Sequence, residues 1–157
     1  MKQTVYIETS VISYLTSKPS NDLVVSAHQK VTYDWWHKTK SKFNCFISQF
    51  VIDEISKGDK NASLKRIKSI SDLPSLDYNP LIEDLASVYI QLLNIPAKSK
   101  LDAYHLSTAV LFEIDYLLSW NCKHISNAVV SNKINEYNYK NSLFMPILCT
   151  PLSLMEV

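Results

Sequence analysis

The sequence predicts an α/β fold: a mostly parallel central sheet of about four to five strands, flanked by helices. Two observations carry this. Short β-branched or aromatic runs alternate along the chain with longer segments whose apolar residues recur at helical spacing. Strands separated by helices need crossover connections, and crossovers give parallel pairing. Second, Asp115-Tyr116-Leu117-Leu118-Ser119 reads as a strand buried on both faces, as in a sheet covered by helices on both sides. One domain spanning residues 1–157 is expected, since ~100–200 residues per domain is usual. A hydrophobic content of 46% suffices for one core at this length.

The elements follow in order. Thr4-Val5-Tyr6-Ile7 is the first strand, and a short helical turn covers Val11 to Leu15. Lys18-Pro19-Ser20-Asn21 is a turn with Ser20 as the cap of the next helix. Leu23, Ala27, Val31 and Trp35 carry that helix to about Lys40. Phe43 to Ile47 is the second strand. Ser48 can cap the following helix, which holds Val51, Ile52 and Ile55 and ends at Gly58. Asp59 caps a helix with Leu64, Ile67 and Ile70 on its apolar side. Ser75 to Tyr78 is a brief strand candidate. Asn79-Pro80 opens a helix marked by Leu81, Leu85, Val88 and Leu92, which Asn94 and Pro96 stop. Ser99 to Glu113 is apolar on most sides, as a buried central helix would be. A further helix lies near Asn127 to Tyr137, and Ile147-Leu148-Cys149 is the last strand.

Composition excludes several chemistries. The chain has one glycine, Gly58, where about eleven would be ordinary at ~7%. A Walker A loop, a dinucleotide fingerprint and a G-x-S-x-G elbow each need two or more. Sixteen basic residues against fifteen acidic give a net charge of +1, so bulk charge names no partner. Its distribution is uneven: Lys30 to Lys68 holds nine basic residues and four acidic ones. That excess is either a surface for RNA phosphates or lysines that keep amphipathic helices soluble. Three cysteines without a C-x-x-C pair argue for reduced thiols and a cytoplasmic location. No apolar stretch of ~18 residues is present, so no membrane span is expected.

In parallel sheets the chemistry gathers beyond the carboxyl ends of the strands. Glu8 follows the first strand, Glu54 lies early in the helix after the second, and Asp102 sits in the first turn of the buried helix. Asn121 comes just after the Leu117-Leu118-Ser119 strand. Three carboxylates brought together repel one another, and a hard divalent cation, Mg²⁺ or Mn²⁺, resolves the conflict in an all-oxygen site. Such an ion activates water and stabilises charge on a phosphodiester. The bland alternative is that these acids cap helices or face solvent.

Tyr6-Ile7-Glu8-Thr9-Ser10-Val11-Ile12-Ser13 resembles the opening motif of PIN domains, as in VapC-type toxins. Val51-Ile52-Asp53-Glu54-Ile55, Leu101-Asp102-Ala103-Tyr104-His105-Leu106 and Leu117-Leu118-Ser119-Trp120-Asn121 resemble the second, third and fourth motifs, in order and at similar spacing. The stretch from Ile147 to Pro151 is similar to the family's last strand. The resemblance implies a three-layer fold and an endoribonuclease using Mg²⁺ or Mn²⁺ held at Glu8, Glu54 and Asp102. It also implies a homodimer, commonly neutralised by a cognate antitoxin. Two positions depart from the pattern: Glu8 and Asn121 stand where the family usually has Asp. The extra methylene of Glu8 lengthens the side chain by about 1.5 Å, and the Asn121 amide adds no charge to neutralise a cation.

Other residues near the site carry two readings each. Ser10 and Ser119 either orient a carboxylate or a metal-bound water, or cap turns. His105, three residues after Asp102, either holds Asp102 or substrate, or is a hydrogen-bonded core histidine. Trp120 either stacks a base or packs beneath the site, and Trp35 continues an apolar stripe. His124 either touches phosphate or is a helix-start or surface residue, Asp53 either faces solvent or serves the site, and Cys122 reads as no nucleophile because no base accompanies it. Two functions therefore compete: a metal-dependent ribonuclease, with Glu8, Glu54, Asp102 and Asn121 as its catalytic set, and a PIN-fold RNA- or partner-binding module that has lost catalysis. A metal-dependent hydrolase of small phosphate esters is a third.

Overall fold

The computed structural model describes residues 1–155. Its sheet has five strands: β1 (Thr4–Ile7), β2 (Asn44–Ser48), β3 (Ser75–Leu76), β4 (Tyr116–Leu118) and β5 (Ile147–Cys149). All pair in parallel, in the order β3-β2-β1-β4-β5. Seven α-helices flank it: α1 (Thr9–Thr16), α2 (Leu23–Asp34), α3 (Gln49–Ile55), α4 (Lys60–Ser69), α5 (Leu81–Leu93), α6 (Lys100–Leu111) and α7 (Ala128–Lys140). The α/β class and the parallel sheet agree with the sequence reading, as does the weak third strand.

β1 lies in the middle, and Val5, Tyr6 and Ile7 are wholly buried, as are Leu117 and Leu118 of β4 beside it. Helix α1 packs on α2, α3 and α4, while α5 packs on α6 and α7. Helix α6 is the buried central helix expected: residues 105–110 are all buried. Its polar members Ser107 and Thr108 turn their hydroxyls back to the carbonyls of Ala103 and Tyr104 (2.8 and 2.7 Å), which is how a helix buries them without orphaned groups.

Four local expectations are corrected. Helix α2 is capped by Asp22, whose carboxylate accepts from the Val25 N–H, while Ser20 caps nothing and accepts from the Asp22 N–H instead. The helix does not run regularly to Lys40: residues 35–39 widen into a π-helical turn and 40–42 tighten into a 3₁₀ turn, and the wide turn buries both Trp35 and Thr39. The apolar stripes of α2 and α4 are only partly covered, since Leu23, Leu64 and Ile67 face solvent and Trp35 and Ile70 are buried. Ser48 occupies the N-cap position of α3 but makes no capping bond, because its hydroxyl is engaged with the Tyr6 hydroxyl at 2.6 Å. Asp59 does cap α4, through the Ala62 N–H. Gly58 sits in the turn between them with φ +85°, a left-handed backbone that glycine adopts at least cost.

Candidate metal centre

The carboxyl ends of β1 and β4 are locked together, since the Glu8 N–H donates to the Leu118 carbonyl at 3.0 Å. Chain direction reverses here into α1, and Glu8 becomes its N-cap residue with extended backbone. Its side chain is 5% exposed and curls back so that one oxygen, Oε2, takes three donors. These are the Ser10 N–H at 3.1 Å, the Ser119 hydroxyl at 2.7 Å and the Ser10 hydroxyl. The two serines are themselves fixed: Ser10 Oγ accepts from the Trp120 N–H and Ser119 Oγ from the Asn121 N–H, both at 2.9 Å. Both therefore orient a carboxylate, one of the two roles the sequence left open.

Glu54, on α3, faces the same end of the sheet. Its Oε1 accepts from the Thr9 hydroxyl at 2.8 Å and lies 2.5 Å from His105 Nε2. Burial alone would raise the Glu54 pKa; the hydrogen bond from His105, its positive charge when protonated, and the Thr9 bond outweigh that and hold it below the ordinary value. Burial likewise opposes a charge on His105, but the bond to Glu54 and the fields of Glu8, Glu54 and Asp102 prevail and raise its pKa. His105 is wholly buried, and its Nδ1 meets the Tyr6 hydroxyl at 2.7 Å. It is thus a hydrogen-bonded core histidine that holds Glu54, not Asp102.

One potential ligand atom each from Glu8, Glu54 and His105 lies within 4.8 Å of the others, a grouping that could hold a metal ion. Asp102 is outside that grouping. It stands in the first turn of α6 and pairs through Oδ2 with His124 Nδ1 at 2.7 Å. It shares with Glu54 a cleft of about 380 Å³, together with Ser99, Asn121, His124 and the lysines Lys98 and Lys123. A larger hollow of about 520 Å³ lies around Lys2, Asn44 and Cys45, at the start of β2 and so at the other end of the sheet. Its one carboxylate, Asp72, is already paired with Lys40. Acidic chemistry therefore collects at the carboxyl end, as the parallel topology requires.

A single pattern unites the three carboxylates. Each spends one oxygen on protein donors and leaves the other without one: Glu8 Oε1, Glu54 Oε2 and Asp102 Oδ1 have no hydrogen-bond partner among the described residues. Even the Glu8 oxygen keeps contact with solvent, since the one sealed and unpartnered side-chain polar atom among the described residues is Trp35 Nε1.

Asn121, placed by the sequence in the catalytic set, lines the cleft. Its amide oxygen accepts from the Lys123 and His124 N–H groups (3.2 and 3.0 Å) and so is used to build the turn after β4. Trp120 is no stacking platform. His28 lies flat on its ring at 4.0 Å, Tyr14 meets it edge-on, and its Nε1–H donates to Thr32 at 2.7 Å. It ties the site loop to α1 and α2. The basic window fares similarly: Lys30 and Lys38 both pair with Asp34, Lys40 pairs with Asp72, and Arg66 donates to the carbonyls of Ile55 and Lys57. The cations that line the cleft, Lys98 and Lys123, lie outside that window. Cys122 is exposed, and burial pushes the thiols of Cys45 and Cys149 up to about 11 and about 12.

The sequence suggested a phosphate contact or a surface role for His124 but not its pairing with Asp102, and it gave Tyr6 no role in the site. His124's spacing from Asn121 carried a signal, because a residue in a turn after β4 faces the start of α6 across the cleft. Tyr6 carried none, since its ring reads as ordinary strand core. Compared with models of known families, with curated proteins and with solved structures, the chain matches none.

Proposed function

We propose that this protein is a PIN-fold endoribonuclease that uses Mg²⁺ or Mn²⁺, the toxin of a type II toxin–antitoxin pair. One observation supports this reading above the rest: three carboxylates at the carboxyl end of a parallel sheet, each pinned through one oxygen and presenting the other. Three anionic oxygens without a proton donor suit a hard divalent cation, and their one-at-a-time presentation suits the compact shell of Mg²⁺ or Mn²⁺. When bound, the ion would supply Lewis acidity and an activated water. Glu8, Glu54 and Asp102 would hold it. Ser10, Ser119, Thr9, His105 and His124 keep those carboxylates in place, and Lys98 and Lys123, which line the same cleft, would meet the phosphates of RNA.

The same reading includes a homodimer, a cognate antitoxin and a cytoplasmic location; these rest on the motif resemblance. Asn121 favours a second reading, a PIN-fold RNA- or partner-binding module, because its amide oxygen is committed to a turn. Cleavage decides between them. Purified parent should cut RNA with Mg²⁺ or Mn²⁺, stop on chelation, and lose activity in Asp102→Asn. A parent that cleaves nothing in either metal, or an Asp102→Asn variant that cleaves as well as the parent, would overturn the ribonuclease reading.

A further inference from the structure

His105 lies close enough to Glu8 and Glu54 to be counted with them as a metal ligand. Proton bookkeeping along its hydrogen-bond chain says otherwise. The chain runs Ser48 Oγ, Tyr6 Oη, His105 Nδ1, His105 Nε2, Glu54 Oε1, with links of 2.6, 2.7 and 2.5 Å across the three contacts. With Glu54 ionised, only two proton arrangements satisfy it. In the first, Ser48 donates to Tyr6, Tyr6 donates to Nδ1, and a neutral His105 donates from Nε2 to Glu54. In the second, Nδ1 donates to Tyr6 and Tyr6 donates to Ser48. Nε2 then faces a carboxylate oxygen at 2.5 Å, which is tolerable only if it too carries a proton, because two lone pairs would otherwise meet. Both arrangements place a hydrogen on Nε2. Nδ1 is closed off by Tyr6 in both.

We propose that His105 is not a ligand of the centre but the positioning residue of Glu54, its Nε2 proton held toward Glu54 Oε1 by the buried Ser48–Tyr6 chain. The consequence is directional. With Oε1 occupied by His105 and Thr9, Glu54 meets a cation through Oε2, and the centre is all oxygen. Ring rotation to free Nε2 is opposed by complete burial and by the Tyr6 bond. Carboxylates that ligate metal are ordinarily held by such outer partners, and losing one costs about 10–100-fold in affinity or activity. This assignment builds on the metal reading for its consequence but not for its proton.

The proton is therefore tested first on the metal-free full chain, by ¹⁵N NMR of labelled histidine. His105 Nε2 should show a directly bonded hydrogen, and it should keep it when Mg²⁺ is added to saturation. A bare Nε2 in the metal-free protein, or loss of its hydrogen on Mg²⁺ addition, would overturn the proposal. Failure of Mg²⁺ to bind at all would defeat the metal reading and leave the proton's position to decide this one. In the Mn²⁺-loaded protein, electron spin-echo spectra should lack modulation from a coordinated ¹⁴N; its presence in the parent and loss in His105→Gln would make His105 a ligand. Variants add a readout on affinity. His105→Gln keeps an N–H near the Nε2 position and should bind Mn²⁺ within a few-fold of the parent, whereas His105→Leu should lose about 10–100-fold. Equal affinity in the two variants would refute a role through the N–H. Tyr6→Phe, which touches no carboxylate, should weaken Mn²⁺ binding by a smaller factor.

Discussion

Placing aspartate at position 8, as in the motif that the first strand resembles, should damage this protein. The Glu8 carboxylate reaches its three donors because the longer side chain folds back over the start of α1. Glu8→Asp withdraws the carboxylate by about one C–C bond, ~1.5 Å. The 2.7 Å contact to the Ser119 hydroxyl then opens beyond hydrogen-bond range unless the backbone moves. An N-cap Asp can still accept from the first-turn N–H groups, so that part of the network survives. A hydrogen bond to a charged group contributes about 1.5–3 kcal/mol, and Ser119 is fully buried, so a loss near 2 kcal/mol is expected. At roughly 2–4 °C per kcal/mol for a chain of this size, Tm should fall by about 4–8 °C. Loss of a bond that orients a ligating carboxylate should also weaken Mn²⁺ binding by about 10–100-fold. Glu8→Gln is the control. Its amide oxygen can keep all three donors, so the fold should survive, while the lost charge should abolish the Mg²⁺-dependent rise in Tm. That rise corresponds to about 2.7 kcal/mol of stabilisation for the parent when free Mg²⁺ is 100 times its Kd. The assay is thermal unfolding with and without Mg²⁺, beside a Mn²⁺ titration. A Glu8→Asp protein as stable as the parent, with equal or tighter Mn²⁺ binding, would refute the reasoning.

Three further outcomes are expected. Gly58→Ala should cost roughly 1–2 kcal/mol, the penalty of a left-handed backbone alone, because nothing lies within 4 Å of an added Cβ; calorimetry measures it, and metal-dependent cleavage should persist in the folded variant. Tyr89→Phe removes the 2.6 Å bond to Asn138 and orphans a buried amide oxygen, so unfolding in urea should show a loss of about 1–3 kcal/mol. In metal-free protein, the Glu54–His105 pair stabilises the fold over a defined pH window. Because the His105 pKa is raised on folding, its contribution is complete below about pH 6.5 and is lost as pH rises through the folded value. Because the Glu54 pKa is lowered, its contribution is complete above about pH 4.3 and is lost as pH falls through the folded value. The Tm gap between parent and His105→Gln should therefore peak between those limits, and a gap that widens above pH 8 would contradict the sign.

What the sequence disclosed and what it concealed divide along a physical line. Strand and helix identities came from periodicity, which is a local property, and the parallel sheet followed from their alternation. Glu8, Glu54 and Asp102 were legible because topology alone sends them to one end of the sheet. The direction in which each side chain points was not. His105 and Asp102 are three residues apart on α6, near enough in the helix to suggest a pair, yet each turns to a different segment, His105 to α3 and β1 and Asp102 to the turn after β4. Trp120 was ambiguous for a similar reason: only the docking of α2 places His28 over its ring. The π-helical turn at 35–39 has no periodic signature, since a single widened turn is too short to set a period of its own.

The arrangement of donors explains how three carboxylates can sit together before any cation arrives. Mutual repulsion and burial both make such a grouping costly. The protein offsets this with N–H and O–H groups aimed at three oxygens: three donors on Glu8, two on Glu54 and one on Asp102. The most donors fall on the nearly sealed Glu8, where water can do least of the solvation. Had the donors been spread over all six oxygens, the charges would be equally well held, but no oxygen would remain for an ion. Concentrating them on one oxygen per residue anchors each carboxylate and leaves its second oxygen unengaged among the described residues. Two of the donors, Ser10 and Ser119, also accept backbone N–H groups from the loop after β4. The loop that brings Asn121 and His124 to the cleft is thereby fixed by the same hydroxyls that fix Glu8, so the carboxylate at the end of β1 and the turn after β4 are set by one network.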